Sequence, residues 1–270
     1  MRSPTTGASL PRFDADRLDR RDPTLIGRIL PAARAMTRAY FGLRVDGLEN
    51  IPMGPVVFAA NHNGGIFGPD LACTLSTLWG ALGPHSPLYA LAHDFPMRHV
   101  TPLGRAIQRV GAVRASPANA DRILDAGGSF LVYPGGDLEA YRHARRRDEV
   151  VLGERAGFVR AAQRAGAPIV PIVAHGAHRC AYIFHEGERL ARALGLKRWA
   201  RLERFPLALA LPWGIAPGPW LPYFPLPFAV RLRVLPAVYP AGSEDARDVR
   251  ERIRALMQDA LDAMALEARS

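Results

Sequence analysis

Lysine is almost missing from this chain of 270 residues: Lys197 stands alone, and arginine supplies the rest of the 35 basic side chains. Cysteine is nearly as scarce. Cys73 and Cys180 lie far apart with no metal-ligand spacing, which argues against a disulfide framework and points to a reducing compartment. No stretch of about 18 apolar residues is free of helix breakers, so no transmembrane helix is expected. Residues 1–21 hold no apolar signal core; polar and arginine-rich, they read as a disordered leader. The G-x-S-x-G elbow, the P-loop and G-x-G-x-x-G are all absent. A serine hydrolase, an ATPase and a dinucleotide-binding dehydrogenase lose support with them.

Between residues 205 and 230 charge disappears altogether, while prolines recur at 206, 212, 217, 219, 222, 225 and 227. Proline at that density forbids a continuous helix. The segment is expected as irregular chain. Either it wraps the domain's own core, or it lays Trp213, Trp220, Tyr223 and Phe224 against a membrane interface.

Positive charge is what the chain has in excess, at a formal +10. Arginine's planar fork suits phosphate and carboxylate, although a codon bias towards arginine gives the same composition. Anionic partners are expected either way. Nucleic acid is not among them, because the arginines are scattered and no basic motif is interleaved with aromatics.

An apolar content of 49% supplies a core, and the apolar runs alternate with helical periodicity. Residues 22–41 form an amphipathic helix with arginines on one face, which Pro31 stands to split in two. Strands are expected over 55–60, 87–92, 111–115, 129–136, 168–174 and 229–238, with a short one near 41–46. Helices fall over 70–82, 102–110, 117–125, 155–165 and 243–265, the last capped by Ser243. This alternation predicts a single α/β domain over 22–270, with a mixed, largely parallel sheet flanked by helices. Reactive groups then collect on loops beyond strand C-termini.

One such loop reads FAANHNGGIFGPD, residues 58–70. His62 follows a buried strand, and histidine as a residue type has an unperturbed pKa near neutrality, so it is the candidate base. Asp70 is either the cap of the following helix or the carboxylate that orients the imidazole. A second strand runs into YPGGDLEA, which adds Gly135, Gly136, Asp137 and Glu139 at the same sheet edge. His175 and His178 lack a visible third ligand, so no metal is expected.

Assembled, these residues resemble the glycerolipid acyltransferase superfamily, the group that includes lysophosphatidate acyltransferases. Four blocks match its motifs in order: VDGLENIPMGPVVFAANH at 45–62, GAVRASPANADRIL at 111–124, VYPGGDLEA at 132–140 and GAPIVPIV at 166–173. The run at 155–172, and Gly-Gly-x-x-Glu at 135–139, look most like the monoacylglycerol and diacylglycerol acyltransferase branch. The resemblance implies that His62, with Asp70, acts as general base on an acceptor hydroxyl that attacks an acyl thioester. It implies acyl-CoA or an acylated carrier protein as co-substrate, and no cofactor. It makes Asn61, Gly64, Gly65, Arg114, Gly135, Gly136, Glu139 and Arg142 the substrate-binding set, with glycine N–H groups facing the oxyanion and Arg114 or Arg142 holding a phosphate.

Two departures leave alternatives open. The family spacing is His-x4-Asp, and that position here is Phe67, so Glu139 is a second candidate partner for His62. The third motif lacks the arginine of lysophosphatidate enzymes, so a monoacylglycerol or diacylglycerol acceptor stands beside a lysophospholipid. The implied partners are an acyl thioester, a glycerolipid and a membrane surface, with the protein cytoplasmic and peripheral on the inner face of the membrane. The rival readings are a non-catalytic peripheral lipid-binding protein and an acyl-thioester hydrolase.

Overall fold

A computed structural model describes residues 13–63, 65, 68–94, 97, 101–218 and 223–269. Its strands in chain order are β1 (Arg44–Asp46), β2 (Val57–Ala60), β3 (Leu88–Ala92), β4 (Ala112–Arg114), β5 (Ser129–Val132), β6 (Ile169–His175), β7 (Tyr182–His185), β8 (Leu207–Ala210), β9 (Gly214–Pro217) and β10 (Arg231–Val234). The helices are α1 (Pro23–Phe41), α2 (Pro69–Leu82), α3 (Thr101–Arg109), α4 (Pro117–Asp125), α5 (Gly136–Ala140), α6 (Gly157–Ala165), α7 (Glu188–Ala193), α8 (Leu196–Trp199) and α9 (Ala246–Glu267).

Seven strands form the main sheet, in the order β1-β10-β6-β2-β5-β3-β4. From β6 to β4 all neighbours are parallel; β10 runs antiparallel to β6 and carries β1 parallel to itself. The α/β class and the largely parallel sheet expected from the alternation are therefore what the chain adopts. Central strands are apolar on both faces because both are covered. Val57, Ala59, Phe130 and Ile169 meet Ile123 of α4, Val159 of α6 and Ile253, Met257 and Leu261 of α9. Phe58, Ala60, Leu131 and Val170 meet Ile26 of α1 with Leu78 and Trp79 of α2.

Pro31 does not split α1. Asp22 caps it by accepting the Leu25 N–H at 2.9 Å, and Gly42 closes it at φ 50°. The one hydrogen bond that proline removes is offset by packing, since Ile26, Thr37 and Phe41 are buried on a single face. The terminal helix is capped by Asp245, whose carboxylate accepts the Arg247 N–H, and not by Ser243.

Two further expectations are corrected. The last part of the polar leader packs on the domain: Ala15 is buried, Arg21 donates to the carbonyls of Leu88 and Pro84, and Asp16 pairs with Arg114. Residues 1–12 lie outside the described residues. The charge-free segment is not all irregular. It contributes β8 and β9 to a second sheet, antiparallel, in the order β7-β8-β9. Its prolines sit where strands tolerate them: Pro206 precedes β8, Pro212 lies in the turn and Pro217 ends β9.

Parallel pairing sets the functional edge. Ala59 pairs with Val132, Leu131 with Ala90, and Ala92 with Arg114. The residues that follow β2, β5 and β3 therefore emerge side by side at one rim.

Candidate active site

Beyond Ala60 the chain leaves β2, and Asn61 continues the sheet with its side chain. Its Oδ1 accepts the Ala174 N–H at 2.7 Å, and its Nδ2 donates to the Ala174 carbonyl at 3.0 Å. Asn61 is thus a buried stitch to β6 and not a substrate contact. His62 turns towards α2. Its Nδ1 lies 2.8 Å from Asp70 Oδ2. A carboxylate only accepts, so Nδ1 carries the proton and Nε2 is left with its lone pair. The imidazole is 10% exposed and the Asp70 side chain 0%. The imidazole thus meets solvent while Asp70 does not.

Asp70 reaches the ring because it is not the helix cap. Gly68 is the cap residue, Pro69 opens α2, and Asp70 sits inside the first turn, where the helix field favours a carboxylate. The same Oδ2 accepts the Asn63 N–H at 3.0 Å. The residues beyond the family spacing are absorbed by the intervening loop, which is pinned by Gly65 N–H to Ala140 O (2.9 Å) and Gly68 N–H to Gly65 O (2.9 Å). A Cβ on Gly68 would stand 2.1 Å from Asn63 O and 2.2 Å from Asp70 Oδ1, so no other residue fits. Gly64 and Phe67 lie outside the described residues.

Glu139 holds the backbone of His62 instead of its ring. Oε2 accepts the His62 N–H at 2.8 Å and Oε1 the Val151 N–H at 2.9 Å. Burial pushes its carboxyl up to about 7, against the pull of Arg142 and those two donors. One turn on, Arg142 is buried, and all five of its N–H bonds are committed. Nη1 donates to His62 O (2.7 Å) and Glu139 O (2.8 Å), Nη2 to Asn63 Oδ1 and Arg147 O, and Nε to Arg146 O. An arginine so used has nothing left for a phosphate.

Two of the glycines expected to face an oxyanion have their N–H groups engaged within the chain. Gly136 N–H donates to Tyr133 O at 3.0 Å, and Gly65 N–H to Ala140 O as above. Gly135 is there for close approach: a Cβ would lie 1.9 Å from Val151 O. Tyr133 is the residue that motif reading missed. Its ring stands 4.5 Å, centroid to centroid, from the imidazole, and burial drives its phenol well above the usual value. Its place as the first residue after β5, level with Ala60 at the end of β2, was the available signal.

Arg114 is three strands from β2, roughly 14 Å at the usual strand spacing. Its fork is closed on Asp16, with Nε 2.8 Å from Oδ1 and Nη2 2.7 Å from Oδ2, and Asn119 Nδ2 also donates to Oδ1 at 2.7 Å. This pairing holds the Asp16 carboxyl below its ordinary value. His175 and His178 stand 6.1 Å apart ring to ring, and burial pushes His178 down to about 3.

Comparison with known proteins follows this geometry. Residues 42–175 match the family model described as Acyltransferase. An uncharacterized protein of Mycobacterium tuberculosis is 32% identical over 193 residues, covering 71% of this chain and 52% of its own length. A Mycobacterium leprae protein, also uncharacterized, is 29% identical over 200 residues. The chain thus spans about half the length of these curated relatives. Phytyl ester synthase 2 of Arabidopsis thaliana is 31% identical over 137 residues, 48% of this chain and 19% of that protein. Among solved structures, the 1-acyl-sn-glycerophosphate (LPA) acyltransferase of Thermotoga maritima superposes with a TM-score of 0.54 at 18% identity, covering 89% of this chain and 79% of that one. At that identity the likeness is one of fold.

The Glu139–Arg142 clasp generates two expectations. Arg142→Lys replaces five fixed donors with three, so denaturant melts should show a loss of about 2–4 kcal/mol. Glu139 takes up a proton on folding between its ordinary value of 4.5 and about 7. Its contribution to stability therefore falls as pH rises through that window. Melts of wild type and Glu139→Gln across the same range should show that negative slope in the wild type and its loss in the variant.

Proposed function

We propose, on the premise that residues 42–175 form a domain of the acyltransferase family, that this protein moves an acyl group from a thioester to the hydroxyl of a glycerolipid. The observation that carries the reading is the His62–Asp70 pair, with Nδ1 held by a buried carboxylate and the imidazole 10% exposed. In this scheme Nε2 takes the proton of the acceptor hydroxyl as its oxygen attacks the thioester carbonyl. The tetrahedral adduct then collapses, the C–S bond breaks, and the departing sulfur takes the proton from the imidazolium. Asp70 keeps the tautomer and stabilises the transient charge. The donor in this reading is acyl-CoA or an acylated carrier protein, and the acceptor is met at a membrane surface. Among the described residues no helix is long and apolar enough to cross a membrane.

An uncharged acceptor, such as monoacylglycerol or diacylglycerol, is favoured over a phosphate-bearing one. Arg142 has no donor to spare, and Arg114 already holds a carboxylate within its own chain. The names of the two similar proteins point different ways: the phytyl ester synthase is named for its product, and the acyltransferase of like fold for its phosphate-bearing acceptor, 1-acyl-sn-glycerophosphate. The internal Asp16–Arg114 pair tips the reading towards the first kind.

Purified protein supplied with mixed acyl-CoA and lysophosphatidate, other lysophospholipids, monoacylglycerol or diacylglycerol should yield a product readable by mass spectrometry. His62→Ala and Asp70→Asn should each lower turnover by about 10²–10⁴-fold. Turnover that survives the His62 change intact refutes the base assignment. Asp16→Asn should raise activity on lysophosphatidate relative to monoacylglycerol by about tenfold, roughly 1.4 kcal/mol. An unchanged ratio removes Asp16 from acceptor choice.

A further inference from the structure

The second sheet has two unlike faces. On one, Ile183, Ala208 and Ala216 are turned inward, and Ile183 and Ala208 pack on Ala140 and Tyr141 of the segment that carries Glu139 and Arg142. On the other, Tyr182, Leu209 and Ile215 lie in register across the three strands and are 52%, 55% and 64% exposed. Leu211, Trp213 and Phe224 extend this surface, with Phe224 bridged to Leu211. Six large apolar side chains on one outward face are more than a scattering of surface residues.

We propose that this face of β7, β8 and β9 is the surface by which the protein docks on an anionic lipid bilayer, close to the mouth of the His62 site. Charge supports a bilayer as the occupant. The strands β8 and β9 carry none, while exposed Arg179 precedes β7, and exposed Arg38 sits two residues before Tyr40, whose hydroxyl bonds to Pro225 O at 2.8 Å. An uncharged face with tryptophan and tyrosine at its rim and arginines beside it matches the layered chemistry of a membrane interface. Size argues against a second copy. Three strands of four residues span roughly 14 by 14 Å, far short of the ~800 Å² per partner that a stable interface needs. Position supports it too: a Cβ on Gly65, in the loop between His62 and Asp70, would lie 3.3 Å from Tyr141 and 3.8 Å from Tyr223, so sheet and site share a wall. The inference rests on the acyl-transfer reading only for why a lipid is met here.

The test is co-sedimentation of the full chain with vesicles of equal parts phosphatidylcholine and phosphatidylglycerol. Wild type should pellet with the vesicles. The double variant Leu209→Glu with Ile215→Glu should partition at least tenfold less, with unchanged far-UV circular dichroism, and retain wild-type turnover on a short-chain, water-soluble acceptor. Should the double variant misfold, quenching of wild-type tryptophan fluorescence by brominated lipid decides, because it should fall markedly in Trp213→Phe. Equal pelleting of a folded double variant, or equal quenching of Trp213→Phe, overturns the proposal. So does a wild type that ignores vesicles and elutes as a dimer which the double variant dissociates, since that assigns the face to a second copy. Vesicle binding lost in the variant, from a protein with no acyl transfer to any acceptor, leaves the docking face standing and removes the acyltransferase reading.

Discussion

Glu139 and Arg142 are one helical turn apart, both buried, and together they hold the backbone on either side of His62. The carboxylate takes the His62 N–H, while the guanidinium takes the His62 carbonyl and the Asn63 side chain. Burying two charges is costly, and the pair persists because every oxygen and every N–H has a partner. With that clasp in place, the residue after a β-strand cannot drift, and the imidazole has one orientation from which to meet Asp70. The rest of the site is built outward from this constraint: Gly135 makes room for Glu139, and Gly68 makes room for Asp70.

The consequence for chemistry is a division of labour among residues that look alike in the sequence. Two acidic groups approach His62, and each addresses a different part of it. Asp70 meets the ring, where its charge acts on the proton. Glu139 meets the main chain, where it acts on position. Two arginines in the motif blocks are likewise engaged within the chain. One is consumed by the clasp, and the other is closed on Asp16 from the segment ahead of the first helix. Both arginines are thus engaged within the chain, and the second sheet packs on the same segment that carries the clasp.

Much of this was legible in the chain. The alternation of apolar runs and amphipathic stretches specified the α/β class, because a parallel strand buried on both faces reads as a near-continuous apolar run, as β2 and all of β6 but its last residue do. His62 stood out because a polar, titratable side chain followed such a strand directly into glycines. Less legible was the segment 205–230, where proline hid two strands. Proline is disfavoured at interior ladder positions, Pro171 of β6 being an exception, but not at the ends and turns where Pro206, Pro212 and Pro217 sit. The leader misled for a different reason: among its polar residues Asp16 and Arg21 bond to the domain, while Asp14, Arg17, Asp19 and Arg20 stay exposed, and composition does not separate the two groups.

The sequence by itself determined the class of fold, the strand ends at which reactive groups gather, and His62 as the candidate base, since these follow from local periodicity and from the intrinsic chemistry of one side-chain type. Only the tertiary structure decided between Asp70 and Glu139 as its partner, turned Asn61, Gly65, Gly136 and Arg142 from ligand contacts into braces, and closed Arg114 on Asp16. Those outcomes depend on which donor meets which acceptor across 77, 80 or 98 residues of chain. Hydrogen bonds are decided by distance and direction, and linear spacing carries neither.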